Sequence, residues 1–157
     1  MIKRKHLLYC FLLFCALAFV NFALDALCQS AVGDGEKELI AGVVSLRYAK
    51  NAGMAFSLLS DRPLLANVLS AAVIAAIAAY MLFGKMALPA RLSLSAVLTG
   101  GACNLYMRLV HGGVNDWINL EFVRYPLFNF ADICVCVGMV LFIVFTLFAK
   151  EKPENAD

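Results

Sequence analysis

The sequence predicts an all-α membrane protein: four transmembrane helices with a small extracytoplasmic β-sheet and a surface helix, in a single domain over residues 1–157. Three observations carry that prediction. Of the 157 residues, 63% are hydrophobic and 15% charged, more apolar surface than a soluble fold of this size can hide from water. Apolar runs close to the roughly 20 residues that cross a bilayer recur at about 7–27, 64–83, 92–107 and 131–149. Basic residues flank them on one side: Lys3, Arg4 and Lys5 before the first run, Lys85 and Arg91 between the second and third, Lys150 and Lys152 after the fourth. An even number of spans puts all three groups on one face, which the positive-inside rule makes cytoplasmic, with both termini.

The first span starts like a secretory signal, with a basic head and an apolar run. It is longer than a usual signal core and carries Asn21 and Asp25 where a cleavage site would be small and uncharged, so it is expected to be retained. The first outer connection, about 28–63, contains "ELIAGVVSLRYAKN", rich in β-branched residues and bounded by Gly33, Gly35 and Gly53. It reads as one or two strands on the membrane surface. Its glycine-rich start and the "NAGMAF" turn are expected to form a mobile cover. The third span is interrupted by Thr99, Gly100, Gly101 and Asn104, residues that membrane helices tolerate where they pack closely. In the second outer connection, about 108–130, "WINLEFVRYPLFN" is expected to pair with the first strands, while the tail "KEKPENAD" reads as solvated.

Several functions are disfavoured. Net charge is +2 with no basic patch interleaved with aromatics, so nucleic acid is not an expected partner. Of six cysteines, Cys10, Cys15, Cys103, Cys134 and Cys136 fall in spans and Cys28 near the outer surface, which is no disulfide framework. Cys134 and Cys136 point to roughly opposite sides of a helix, which makes a metal site there improbable, and no cofactor is expected. His6 and His111 read as interfacial residues without chemistry.

Polar groups within spans are costly in lipid and need a reason. Asp25 lies 18 residues above Leu7, Arg108 17 above Arg91 and Asp132 17 above Ala149. At about 1.5 Å per residue, each lies roughly 25–27 Å from the inner boundary, close to the outer edge of a core about 30 Å thick. Asn21 and Asp25 share a helix face, as do Asn104 and Arg108. Asp116, after the turn "VHGGVND", can return to the same level, helped by Trp117, an aromatic suited to the headgroup zone. Each also has a bland reading. Asp132 can cap its helix, Arg108 can snorkel to phosphates, Asn129 can be a turn residue, and Asn51 with Gly53 can form a tight turn.

Three stretches, "YAKNAGMAFSLL" at 48–59, "GGACNLYMRLVHGGVNDWI" at 100–118 and "FNFAD" at 128–132, decide between these readings. In order and separation they resemble the motifs of the lipoprotein signal peptidase (signal peptidase II) family: N-x-G-x-A-F, then G-N-x-x-D-R with G-x-V-x-D-[FW]-I, then F-N-x-A-D. The resemblance covers most of the chain. It implies that Asp116 and Asp132 are a catalytic aspartate pair, that Asn51, Asn104, Arg108 and Asn129 shape the site and hold substrate, and that Asp25 is the acid at the outer end of the first helix. It further implies a multi-pass enzyme of the bacterial cytoplasmic membrane, acting at the outer leaflet among membrane lipids. Its substrate would be a prolipoprotein whose cysteine carries diacylglycerol, cut just before that cysteine, and a monomer is expected. The chain departs from the patterns at Cys103, where glycine is usual, and at Met107, where an acid precedes the arginine. Around Asp25 the pattern is close to D-Q-x-[ST]-K, and this chain reads "DALCQ".

The chemistry is reasonable without the resemblance. Two neighbouring carboxylates sharing one proton can activate a water and deliver a proton to a leaving amine. Close like charges in a poorly solvated site titrate as a unit with one member protonated. A serine–base pair lacks candidates at the outer level. Two alternatives remain: a catalytically inactive relative that binds lipidated signal segments, prompted by Met107 and Cys103, and a quinone-linked thiol oxidoreductase, which would need an exposed C-x-x-C that the chain lacks.

Overall fold

The computed structural model describes residues 4–33, 35–51, 53 and 58–148. Of the expected cover, the "NAGMAF" turn at 51–56 lies outside the described residues at 52 and 54–56, as do Lys3, Lys150 and Lys152 of the basic flanks. In chain order the elements are α1 (Arg4–Val32), β1 (Glu36–Ile40), β2 (Val44–Asn51), α2 (Pro63–Phe83), α3 (Leu88–His111), β3 (Val114–Leu120) and α4 (Phe130–Leu147).

Local chemistry sets the helix ends. Pro63 opens α2 and Pro89 lies in the first turn of α3, where a missing N–H costs nothing. Gly112 ends α3 in the left-handed region at φ 71°, its N–H bonded to Arg108 O, a conformation that favours glycine. Asn129 caps α4. Three helices, α1, α2 and α4, are long and apolar enough to cross a membrane. The fourth expected span, α3, is long enough at 24 residues but less apolar, because its polar groups face protein. Ser95 Oγ donates to Cys10 O of α1 at 2.9 Å, and Thr99 Oγ1 to Ser95 O at 2.7 Å. This helix is the hub of the bundle, packing on α1, α2 and α4. Two helices run beyond their expected limits, α1 covering more than 7–27 and α3 more than 92–107.

Two glycines let α3 and α4 approach. A Cβ on Gly138 would lie 2.8 Å from Ser93 O and 2.9 Å from Val97 Cγ2. One on Gly100 would run into Ala131 O and sit 2.8 Å from Val135 Cγ2. The bundle therefore closes tightest beside the first turn of α4.

A three-stranded antiparallel sheet, ordered β1-β2-β3, covers one end. Expectation and structure differ here in two respects. The strand of the second connection is Val114–Leu120, so it starts before Trp117 and takes in Asp116; beyond Leu120 the chain leaves the sheet and returns only at Phe128, bridged to Ile118. No surface helix occurs among the described residues, and 58–61 form turns. Trp117 is buried with Leu46 and Cys28, joining the sheet to α1. A second apolar cluster, Cys10, Met81 and Leu94, ties the opposite ends of α1, α2 and α3.

Candidate active site

Two sheet features aim side chains at the helices. Between Leu46 and Ala49, β2 carries one more residue than the facing stretch 116–118 of β3, a bulge that redirects its neighbours. Alternation then puts Asn51 and Asp116 on one face and Lys50 and Asn115 on the other. At the far end of the second connection, Phe128 exchanges backbone hydrogen bonds with Ile118, its carbonyl accepting at 2.8 Å and its N–H donating at 3.2 Å. That pairing holds the next residue, Asn129, against β3.

Asn129 joins the two acids. Its Nδ2 donates to Asp116 Oδ1 at 2.8 Å, while its backbone N–H donates to Asp132 Oδ2 at 3.0 Å. Its Oδ1 accepts from the Asp132 N–H at 3.0 Å, completing a capping box at the start of α4. The remaining carboxylate oxygens also have asparagine donors. Asn104 Nδ2 reaches Asp132 Oδ1 at 2.8 Å, and Asn51 Nδ2 reaches Asp116 Oδ2 at 3.1 Å. Asn51 Oδ1 in turn accepts from the Gly53 N–H at 2.9 Å, so the tight-turn reading and the site reading of Asn51 both hold. The same is true of Asp132, which caps its helix and faces the second acid.

Asp116 and Asn129 are buried, 5% and 3% exposed. Burial pushes the Asp116 carboxyl up to about 6, with the Asp132 charge adding to the rise. Hydrogen bonds from Asn51 and Asn129 and the charge of Arg108 oppose it. Arg108 is engaged by the protein, its Nε donating to Gly53 O of the first connection at 2.8 Å. Among the described residues, no group of three or more His, Cys, Asp or Glu could hold a metal ion.

Asp25 stands apart from this cluster. Its Oδ1 accepts from the Tyr48 hydroxyl at 2.8 Å and its Oδ2 from Asn115 Nδ2 at 3.3 Å. Burial first, then the bond to Asp25, raises the Tyr48 hydroxyl above its ordinary value and keeps it protonated. Asp25 thus grips the far face of the strands whose near face carries Asn51 and Asp116. Tyr48 and Asn115 were not singled out from sequence; the only signal for Asn115 was its place beside Asp116, which in a strand means the opposite face. All six cysteines are free thiols, and Cys103, at one of the departures from the family pattern, is buried.

Comparison with known proteins shows which family the chain belongs to. Residues 17–148 match the family described as Signal peptidase (SPase) II. A lipoprotein signal peptidase of Clostridium acetobutylicum is 33% identical over 121 residues, covering 74% of this chain and 79% of the relative. One from Pseudoalteromonas translucida is 32% identical over 146 residues, covering 88% and 87%. A third, from a Sulfurihydrogenibium strain, is 31% identical over 154 residues, covering 90% and 94%. A solved bacterial membrane enzyme superposes with a TM-score of 0.82 at 20% identity, over 94% of each chain, which speaks to the fold. With a family match across most of its length and relatives above 30% identity, the chain belongs to the signal peptidase II family.

Proposed function

We propose that this protein is an aspartic endopeptidase that removes signal peptides from diacylglyceryl-modified bacterial prolipoproteins, cutting before the lipidated cysteine. The observation that carries the reading is the junction of Asp116 from β3 and Asp132 from α4 through one residue, Asn129. In this reading the two carboxylates share a proton. The ionised member takes a proton from water, which attacks the scissile carbonyl. The protonated member hydrogen-bonds the carbonyl oxygen as charge develops there, and a proton then passes to the departing amine. Asn51, Asn104 and Asn129 fix the carboxylate planes, and Arg108 adds positive charge where the tetrahedral oxyanion forms. Asp25 acts at one remove, by holding the strands.

The membrane arrangement belongs to the same proposal. The chain is one integral domain of four spans, with α3 crossing beside the three more apolar helices, both termini cytoplasmic and the acids at the outer leaflet of the bacterial cytoplasmic membrane. A substrate held there by its own signal segment and acyl chains needs no further anchor, and a monomer suffices. The buried polar residues of α3 and the lipid-facing apolar surfaces of α1, α2 and α4 support this arrangement.

The experiment is cleavage of a diacylglyceryl prolipoprotein by purified wild type, Asp116→Asn and Asp132→Asn, with the unlipidated precursor as control. Cleavage by wild type alone, and only of the lipidated form, is expected. Turnover by either variant at the wild-type rate would remove the acid pair from the mechanism.

A further inference from the structure

A cavity of about 580 Å³ opens between α1, α3 and the sheet, on the side of the strands facing away from Asp116. Its size lies within the roughly 300–1,000 Å³ usual for small-molecule sites. Phe22, Tyr106 and Met107 form its apolar part, with the Phe22 and Tyr106 rings edge to face at 5.5 Å. Both aromatics are partly exposed, at the level where amphipathic rings meet headgroups in the arrangement above. The rest of the lining is polar and of mixed sign: Asp25 and Gln29 from α1, Lys50 from β2, His111 and Asn115 from the α3–β3 side.

Two observations mark this cavity as a binding site. Gln29 and Met107, which both line it, carry no charge, so the charged groups of the lining are Asp25 and Lys50. Asp25, moreover, has acceptor capacity left. Among the described residues each of its oxygens receives a single donor, from Tyr48 and from Asn115, whereas an ionised carboxylate offers about four lone-pair sites. Asp25 with Lys50 and His111 presents an anion and two donors of opposite preference across one opening.

We propose that this cavity binds a phosphate linked by a short chain to an ammonium group, the phosphoethanolamine unit of a zwitterionic phospholipid headgroup or of a free phosphodiester. The ammonium meets Asp25, the phosphate takes hydrogen bonds from Lys50 and His111, and Gln29 bridges the two. In the lipid case the acyl chains run down beside Phe22 and Tyr106. The site is separate from the acid pair and rests on the membrane arrangement proposed above rather than on the catalytic assignment. Its occupant would add contacts to Asp25, which holds β2 and β3 in place.

Thermal unfolding of the full chain in a neutral sugar detergent, followed by the fluorescence of its one tryptophan, Trp117, tests this. The additions are phosphatidylethanolamine, phosphatidylglycerol and diacylglycerol with identical chains, and glycerophosphoethanolamine without chains. Phosphatidylethanolamine is expected to raise the midpoint saturably, with an apparent affinity at least tenfold above that of phosphatidylglycerol or diacylglycerol. Lys50→Met combined with His111→Leu is expected to lower that affinity at least tenfold. Equal shifts from phosphatidylethanolamine and diacylglycerol would overturn the proposal, as would equal shifts from phosphatidylethanolamine and phosphatidylglycerol, or an unchanged double variant. The lipid comparison uses wild type alone, so it decides even where the double variant fails to fold. Glycerophosphoethanolamine matching the lipid assigns the site to a soluble phosphodiester; no effect from it assigns the site to the bilayer.

Discussion

Replacing Gly100 by alanine is expected to cost about 100-fold in kcat/KM while the protein still folds. The new methyl would press on Ala131 O and lie 2.8 Å from Val135 Cγ2. Carbon atoms in contact sit about 3.5–4.0 Å apart, so the first turn of α4 must withdraw by about 1 Å. Because the main obstacle is backbone, a rotamer change does not relieve it. Asp132 follows Ala131 directly, so the shift separates it from Asn104 and from the acid on β3. A misplacement of about 1 Å at a reacting group costs on the order of 100-fold. Overpacking of this kind costs about 1–3 kcal/mol. Gly101→Ala is the control. Its methyl would meet only Ile74 Cγ1 at 3.3 Å and Cδ1 at 3.7 Å, a flexible side chain of α2, and helix propensity favours alanine by about 1 kcal/mol. Steady-state cleavage of a lipidated peptide and unfolding of both variants are the measurements. Gly100→Ala with wild-type kcat/KM, or a Gly101→Ala loss as large, would refute the reasoning.

The Asp116 carboxyl, pushed up to about 6, gives a pH prediction: kcat/KM falls as pH rises through about 6, tenfold per unit, as the free enzyme loses its shared proton. Arg108→Met moves that limb to higher pH, since the arginine charge favours the ionised form, and a pH–rate profile of both proteins reads the shift. The sign for stability agrees: an acid whose folded value lies above 3.8 contributes fully at low pH, and the contribution drains away between about 4 and about 6. Asn129→Ser retains a good N-cap but takes one donor from buried Asp116, so the unfolding free energy falls by about 1–3 kcal/mol, and cleavage drops at least tenfold because a hydroxyl that accepts from the Asp132 N–H does not also reach Asp116. Trp117→Ala removes the side chain that joins the sheet to α1 and lowers the unfolding free energy by about 3–5 kcal/mol, read by denaturant titration in detergent.

The residues of the site were legible in the sequence because each is a polar group in an apolar setting, and such groups stand out whatever they touch. Asp116, Asp132 and the three asparagines do meet, and the depth count that set Asp25 and Asp132 at one level puts both near the sheet. Which atoms they share was not legible. That Asn129 serves as both helix cap and bridge depends on Phe128 pairing with Ile118, a long-range contact that no local pattern announces. Tyr48 was hidden by the bulge in β2, which breaks the alternation that would have indicated its face. The start of β3 was missed because "GGVN" reads as turn, and only the partner strand decides otherwise. Gly100 and Gly138 were visible as small residues, but the backbone each admits is a fact of tertiary packing.

In the four-span arrangement proposed above, the polar stripe of α3 bears on how the chain would enter the membrane. A helix carrying Arg91, Ser93, Ser95, Thr99, Asn104 and Arg108 partitions poorly into lipid by itself, since each such group near a span's centre opposes insertion. It becomes stable only when α1 accepts the Ser95 hydroxyl and α4 closes over Gly100 and Gly138. The helix that supplies Asn104 and Arg108 therefore depends for residence in the bilayer on the helix that supplies Asp132. Loss of the whole seam, beyond the shift of about 1 Å that one added methyl forces, shows first as a misthreaded chain rather than as slow catalysis.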